Sequence, residues 1–138
     1  MPLELDSLKK AVAVLNAVLG KSDDAEFMRG LDEIAQNAIK SGAIQHFEFT
    51  YELCWKFIKR WLEVNRSSTA GVTRRGLFRL AAENRLILDV DEWMRHDDAR
   101  NLTSHTYDPA VAESVYLAAH DFARDAQRLL EALEARND

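Results

Sequence analysis

Residues 44–61 decide the fold class, and they read IQHFEFTYELCWKFIKRW. Apolar side chains recur in this stretch at three- and four-residue steps: Ile44, Phe47, Tyr51, Cys54, Ile58 and Trp61. This spacing is typical of one buried face of an α-helix. Phe49 and Trp55 lie outside that stripe, so the helix is apolar on more than one side. We predict that the second side packs against another copy of the chain; a central helix of a monomer is the alternative.

The N-terminal part of the chain continues the helical pattern. A first helix carries a stripe of regularly spaced apolar residues: Leu5, Leu8, Val12, Leu15 and Leu19. Gly20 predicts its end, because glycine commonly terminates helices. Asp23 and Glu26 form a capping-box pattern that predicts the next helix start. We interpret residues 24–64 as one long helix or two abutting helices, with a kink or break at Ser41-Gly42. Its first part is expected to bury four residues: Phe27, Leu31, Ile34 and Ala38.

Three further helices are predicted from their N-terminal caps. Thr73 follows a polar loop at 65–72 and caps a short helix, while Asp89 begins a helix that runs towards Ser104. Asp108-Pro109 combines an N-cap acid with proline at the first helical position, which predicts the start of the last helix. The sequence therefore predicts an all-α, up-and-down bundle of four or five helices, in a single domain over residues 1–138.

Composition limits the class of protein. The chain of 138 residues has one cysteine, which excludes an intramolecular disulfide framework and a multi-cysteine zinc site. Its net charge of −5 argues against coating by nucleic acid but allows a local basic patch. The sequence has no apolar run long enough to cross a membrane and no signal-peptide pattern. We therefore expect a cytoplasmic protein without a membrane span.

Residues 56–85 form a basic patch in this acidic chain. The patch has eight basic side chains against two acids: Lys56, Lys59, Arg60, Arg66, Arg74, Arg75, Arg79 and Arg85, with Glu63 and Glu83. Such a cluster attracts phosphates, so Arg66, Arg74 and Arg75 are candidates for binding RNA or a protein partner. The alternative is a solvated helix face whose arginines are paired with acids elsewhere.

The segment from Asp89 to Asp108 is polar for a packed helix. Its sizeable apolar residues are only Trp93, Met94 and Leu102. A helix that packs poorly is often retained for its polar side chains. Arg100 and His105 are five residues apart, about 140° around an ideal helix. They converge if the helix ends near Ser104, or if a two-fold partner supplies the second copy of each.

Two blocks of sequence carry a family resemblance: IQHFEFTYELCWK at 44–56 and RNLTSHTY at 100–107. The second resembles the Arg-x4-His-x-Tyr motif of the HEPN superfamily. Together, and in this helical order, the blocks resemble the HepT-like group of nucleotidyltransferase substrate-binding proteins. The resemblance covers essentially the whole chain. It implies a helical homodimer encoded beside a small nucleotidyltransferase.

The resemblance also implies roles for four residues. Arg100, Asn101 and His105 would form a metal-independent ribonuclease site at the dimer interface, and Tyr107 would accept AMP from the nucleotidyltransferase acting as antitoxin. This chemistry is physically reasonable, because histidine serves as acid or base near neutral pH and arginine binds phosphate oxygens. Adenylylated Tyr107 would repel RNA phosphate close to His105. The implied protein is a toxin of a toxin–antitoxin pair.

Other interpretations stay open at this point. The chain is alternatively a non-catalytic subunit that presents a substrate to the nucleotidyltransferase, or a plain helical dimerisation module. Arg100 would then pair with Asp97, His105 would bind a carbonyl and Tyr107 would serve as a packing anchor. Glu48 and Glu52 lie one turn apart, and a carboxylate there is a candidate to hold an active-site arginine. We favour the plain alternative for Glu52, an i, i+4 salt bridge to Lys56, and leave Glu48 unassigned.

The sequence indicates neither a cofactor nor a metal site. His96-Asp97-Asp98 lacks the second histidine or cysteines of a usual metal site. The chain has no glycine-rich phosphate loop, so it is not expected to be the nucleotidyltransferase itself. His46 and His120 are interpreted as surface or structural residues, and Cys54 as a buried small hydrophobe.

Overall fold

A computed structural model of the chain describes residues 2–65 and 67–137. Within these ranges it has six α-helices and no strand: α1 (Asp6–Asp23), α2 (Ala25–Arg29), α3 (Glu33–Val64), α4 (Arg74–Glu83), α5 (Val90–Asn101) and α6 (Pro109–Ala135). One turn of 3-10 helix, Leu102–His105, follows α5 directly. The all-α prediction is confirmed. The count exceeds the predicted four or five because the segment 24–64 is divided.

Helix α3 is the centre of the bundle, and its predicted stripe is confirmed. The helix contacts α1, α4, α5 and α6. All six stripe residues are buried: Ile44, Phe47, Tyr51, Cys54, Ile58 and Trp61. The Phe47 ring packs edge-on against Phe122 of α6, with 5.0 Å between ring centres. Burying such a side chain contributes about 1.5–3 kcal/mol, so this stripe supplies much of the stability.

The break between α2 and α3 lies at residues 30–32, and the prediction of a kink at Ser41-Gly42 was wrong. Asp32 caps α3 by accepting a hydrogen bond from Ala35 N at 2.8 Å. The Gln36 side chain donates to Met28 O and Leu31 O, which satisfies carbonyls at the end of α2. The Asp32 cap thus starts α3 well before Gly42. The helix continues through Gly42, although glycine inside a helix costs about 1 kcal/mol.

This break also changes which side chains are buried in the segment. Ile34 has 82% of its surface exposed and Ala38 is exposed, so the predicted burial of both residues was wrong. Phe27 and Leu31 are half-buried. A continuous helix would have kept the four residues on one face, whereas the break shifts the register before Ile34.

The other helix boundaries follow the predicted caps with two exceptions: α1 does not end at Gly20, and α2 is capped by Asp24 and not by the predicted Asp23. Thr73 accepts from Gly76 N at 3.0 Å, and Asp89 and Asp108 cap α5 and α6. α1 continues beyond Gly20 to Asp23, so the predicted end at Gly20 was wrong. Asp24 caps α2 by accepting from Phe27 N at 3.0 Å.

No helix in the described part of the chain is long and apolar enough to span a membrane.

Candidate functional site

Arg100, on the last turn of α5, is held by an acid from α3. Its Nε donates to Glu52 Oε1 at 3.0 Å, and its Nη1 donates to Thr103 Oγ1 at 3.3 Å. The other carboxylate oxygen, Glu52 Oε2, accepts from Trp55 Nε1 at 2.9 Å. The predicted Glu52–Lys56 pair was therefore wrong. The partner of Arg100 is Glu52 and not Asp97, the other partner considered from the sequence.

This arrangement keeps Glu52 ionised. Partial burial opposes its ionisation, but the hydrogen bonds from Trp55 and Arg100 outweigh that effect and lower the pKa of Glu52. A charged carboxylate holds the guanidinium more tightly and directionally than a neutral group would. Arg100 is consequently a fixed cation at the end of α5, and part of its side chain remains exposed.

The chain after Arg100 changes from α-helix to 3-10 helix, which positions the other motif residues. α5 ends at Asn101, and the 3-10 turn ends at His105. His105 and Tyr107 are exposed, Tyr107 to 84%, and their rings meet at an angle of 67° with centres 6.2 Å apart. Among the described residues no hydrogen bond joins Arg100 to His105. One chain therefore brings His105 next to Tyr107, while Arg100 binds Glu52.

Arg74 and Arg75 of the predicted basic patch both contact the acids of α5. Arg75 Nε donates to Asp97 Oδ2 at 3.1 Å, and its Nη2 pairs with Asp98. Arg74 Nη1 lies 3.6 Å from Asp97 Oδ1. The hydrogen bond that Arg75 donates to Asp97, together with the negative charges of Asp97 and Asp98, raises the pKa of Arg75. Arg66 lies outside the described residues.

Asp97 is the centre of this cluster. Its side chain is largely buried, and its Oδ1 accepts from Tyr51 OH at 2.7 Å. Burial and this hydrogen bond raise the pKa of Tyr51 well above its usual range, so the hydroxyl stays protonated. The Arg74 guanidinium lies over the rings of Trp55 and Tyr51, at 4.9 and 5.5 Å from their centres.

One residue of the motif, Asn101, and two of the basic patch, Arg74 and Arg75, line one open groove. The groove has a volume of about 410 Å³ and is lined by five residues: Thr73, Arg74, Arg75, Asp97 and Asn101. Asn101 follows Arg100 directly in the chain. The sequence placed Asn101 and Arg75 in separate features, whereas the packing of α4 against α5 brings them together.

A buried pair between α5 and α6 was not predicted from the sequence. His96 Nε2 lies 2.6 Å from Asp125 Oδ2, and both side chains are buried. Burial lowers the pKa of His96 to about 4, which keeps the ring neutral at pH 7 and assigns the Nε2 proton to the bond with Asp125. The available signal was Asp125 itself, because an acid between Phe122 and Ala126 interrupts a buried apolar stripe.

The remaining candidates have structural roles. Cys54 is fully buried, and burial raises the pKa of its thiol, as expected for a core residue. His120 bridges α6 and the end of α1, with Nε2 2.9 Å from Asp23 Oδ1 and Nδ1 3.0 Å from Tyr116 O. Among residues 2–65 and 67–137, no three His, Cys, Asp or Glu side chains form a metal-binding group.

Comparisons with known proteins agree with this fold. Residues 3–135 match the family described as "Nucleotidyltransferase substrate binding protein like". Over 138 residues, or 98% of this chain and 94% of the relative, the sequence is 36% identical to a Haemophilus influenzae protein named "Probable ribonuclease HepT".

Two solved structures are also similar. HI0074 of Haemophilus influenzae, described as the fold of a substrate binding domain of a nucleotidyltransferase, gives a TM-score of 0.90 at 34% identity, covering 95% of this chain and 99% of that one. A Thermus thermophilus protein gives a TM-score of 0.71 at 27% identity, covering 91% and 98%. The resemblance found in the sequence is confirmed, and the chain belongs to the nucleotidyltransferase substrate-binding protein-like family.

Proposed function

We propose that the chain is a metal-independent endoribonuclease that acts as the toxin of a toxin–antitoxin pair. The observation that carries the proposal is the end of α5, where Glu52 holds the Arg100 guanidinium one 3-10 turn away from the exposed His105. A relative with 36% identity is named a probable ribonuclease, which supports the same activity.

Cleavage without metal requires a base, an acid and a cation at the phosphate. His105 removes the proton of the ribose 2′-OH, whose oxygen attacks the adjacent phosphorus, and the 5′-oxygen leaves with a proton from a second histidine. Arg100 stabilises the negative charge of the phosphorane through its two outer nitrogens. Asn101, exposed beside the groove, hydrogen-bonds a phosphate oxygen.

The second histidine is supplied by a homodimer. One chain has one His105, so a two-fold axis near the motif places two of them around one phosphate. Exposed apolar side chains support an interface there: Phe49 on α3 is 53% exposed, and Leu102 beside the motif is 40% exposed. Phe49 lies one turn before Glu52 and Leu53 on α3, so the interface would extend to the acid that holds Arg100.

Tyr107 provides the point of neutralisation. Its 84% exposure leaves the phenol oxygen accessible to an enzyme. A cognate nucleotidyltransferase transfers AMP from ATP: the phenol oxygen attacks the α-phosphorus, pyrophosphate leaves, and the phenol proton passes to solvent. The added phosphate is negatively charged and lies next to the His105 ring, where it repels an RNA phosphate.

The first experiment expresses the chain alone, as wild type and as His105→Ala, and scores growth arrest together with cleavage of total cellular RNA. We expect arrest and cleavage with the wild type only, while both proteins show the same helical circular dichroism. Cleavage by His105→Ala would remove His105 from the reaction. No effect of either protein would reject the nuclease.

A second function is a non-catalytic subunit that presents a substrate to the nucleotidyltransferase. The family description and the described Haemophilus influenzae fold both name substrate binding. This function needs only an exposed Tyr107 and a surface for the enzyme. Binding of the nucleotidyltransferase by a chain that cleaves no RNA, with AMP transfer to Tyr107, would favour it over the nuclease.

A further inference from the structure

Two acids of very different exposure share the guanidinium of Arg75. The Asp97 side chain, which accepts from Nε, is 10% exposed, whereas the Asp98 side chain, which pairs with Nη2, is 64% exposed. The Arg75 side chain is itself 42% exposed. One guanidinium therefore has a buried anchor on one edge and a solvent-exposed acid on another.

Asp97 cannot leave its position without disrupting the packing. Its carboxylate also accepts from Tyr51 OH and faces Arg74, whose guanidinium is packed on the rings of Trp55 and Tyr51. Removing a buried carboxylate from these partners would leave each of them without a partner. Arg74 is thus a positioning residue that helps to fix Asp97.

Asp98, unlike Asp97, can leave Arg75 without disrupting the packing, because water replaces Arg75 as its partner when the ion pair opens. Exposed ion pairs contribute little to stability, so opening this pair has a small cost. A phosphate diester presents two charged oxygens to a guanidinium, as a carboxylate does. The Asp98 carboxylate therefore carries the same negative charge as the group that Arg75 would bind in a nucleic acid, and it occupies Nη2, a donor that such a group would use.

An open groove lies beside the position of such a phosphate, because Arg75 lines the groove. Arg75 and Asn101 both line it, and Asn101 is adjacent to Arg100 in the chain. A strand with one phosphate at Arg100 and His105 would pass Asn101 and continue along this groove.

We propose that Asp98 is an internal phosphate mimic, which occupies Arg75 in the free protein and is displaced by a backbone phosphate of bound RNA. Asp97 remains bound and holds Arg75 in the groove, so that Arg75 forms a second phosphate subsite beside the cleavage site. This inference rests on the proposed ribonuclease function. Arg75 would thus have a permanent contact with Asp97 and an exchangeable contact with Asp98.

The test measures binding of a fluorescently labelled single-stranded RNA of mixed sequence across a potassium chloride series. All variants also carry His105→Ala, so that the RNA stays intact. Asp98→Asn should tighten binding about two- to fivefold, because the competing ion pair is lost. Arg75→Gln should weaken binding and reduce the salt slope by about 0.7, as expected for one lost phosphate contact on a single strand.

Asp91→Asn is the matched control, since it removes the same charge from an exposed site on the same helix. Its effect should be clearly smaller than that of Asp98→Asn. In an Arg75→Gln background, Asp98→Asn should behave like Asp91→Asn. Equal effects of the two aspartate variants, or tightening by Asp98→Asn without Arg75, would overturn the proposal.

The outcomes also separate this inference from the function on which it rests. RNA cleavage by the wild type, with no coupling between Arg75 and Asp98, would reject only the phosphate mimic. No RNA binding and no cleavage by any protein would reject both. Tighter binding of the nucleotidyltransferase, but not of RNA, by Asp98→Asn would assign Arg75 to the protein partner and overturn the RNA subsite.

Discussion

Glu52 and Arg100 join the central helix to the end of α5 through one hydrogen bond of 3.0 Å between Glu52 Oε1 and Arg100 Nε. They are 48 positions apart in the sequence. The bond uses Nε of Arg100, so the other two guanidinium nitrogens are directed away from Glu52. Arg100 is therefore held on one edge while its remaining donors are available for phosphate, apart from the contact of Nη1 with Thr103.

Glu52→Gln tests the holding role of this acid. Glutamine replaces one of the two acceptor oxygens with an NH2 group, so either Trp55 Nε1 or Arg100 Nε faces a donor, and Arg100 loses its charged partner. We expect kcat for RNA cleavage to fall on the order of 10- to 100-fold, with a smaller change in KM. Glu48→Gln, one turn earlier on α3, is the control and should retain activity. A KM effect without a kcat effect would contradict positioning.

Tyr107→Phe tests the AMP acceptor. The variant removes only the exposed hydroxyl, so it should fold and cleave RNA but gain no AMP from the nucleotidyltransferase, as measured by intact-protein mass spectrometry. Tyr116→Phe is the control and should still be modified, because the Tyr116 hydroxyl is buried against Ser22, with 2.7 Å between oxygens. An AMP mass on Tyr107→Phe would place the acceptor elsewhere.

The buried His96 should make stability dependent on pH. Its pKa is lowered to about 4 in the folded protein, from 6.5 for the unperturbed group, because burial disfavours the charged ring. Between these values the unfolded chain binds the extra proton, so the free energy of unfolding decreases as pH falls from 6.5 to about 4. At higher pH this contribution is constant.

Urea denaturation at several pH values measures this effect. His96→Gln should flatten the difference between pH 6.5 and about 4, because glutamine retains a donor for Asp125 but does not titrate. His46→Gln, on the half-exposed part of α3, should keep the wild-type slope. An unchanged slope in His96→Gln would show that other groups cause the pH dependence.

Phe49→Ala tests the proposed homodimer. Phe49 is 53% exposed, so its truncation should change the stability of one chain by less than about 0.5 kcal/mol but weaken association. Sedimentation over a dilution series gives the dimer dissociation constant. Ile34→Ala removes another exposed apolar side chain of α3 and should leave association unchanged. Equal dissociation constants for wild type and Phe49→Ala would exclude Phe49 from the interface.

Local patterns in the sequence predicted most of the fold. Thr73, Asp89 and Asp108 were identified as caps because N-capping depends on residues within one helical turn. The predicted position of the break, at Gly42, was wrong. It followed from the intrinsic cost of glycine in a helix, whereas the real break before α3 depends on the contacts made by Asp32 and Gln36. Propensity alone does not decide a boundary when caps and packing compete.

The site was predictable only in part. The motif gave Arg100, Asn101, His105 and Tyr107, but no local pattern connects Tyr51 to Asp97 or Glu52 to Arg100. These pairs depend on how α5 packs on α3, which the sequence does not encode in nearby residues. The pairing of Arg74 with Asp97 also makes Arg74→Glu a poor test of RNA binding, because it would place two carboxylates together in a largely buried cluster.

Tyr51 and Glu52 are consecutive on α3, and they bind Asp97 and Arg100, which are three residues apart on α5. Two such bonds set both the axial position and the rotation of a helix that has few large apolar residues. α5 is consequently attached to the core by these polar groups as well as by Trp93, which packs against Phe78 and Phe122. The Glu52–Arg100 pair is partly exposed, so high ionic strength would weaken it more than the buried bond of Tyr51 to Asp97. Amide exchange at the end of α5 would then accelerate while the α1–α3–α6 core stays closed, and the molecule would lose the geometry of the motif before its fold.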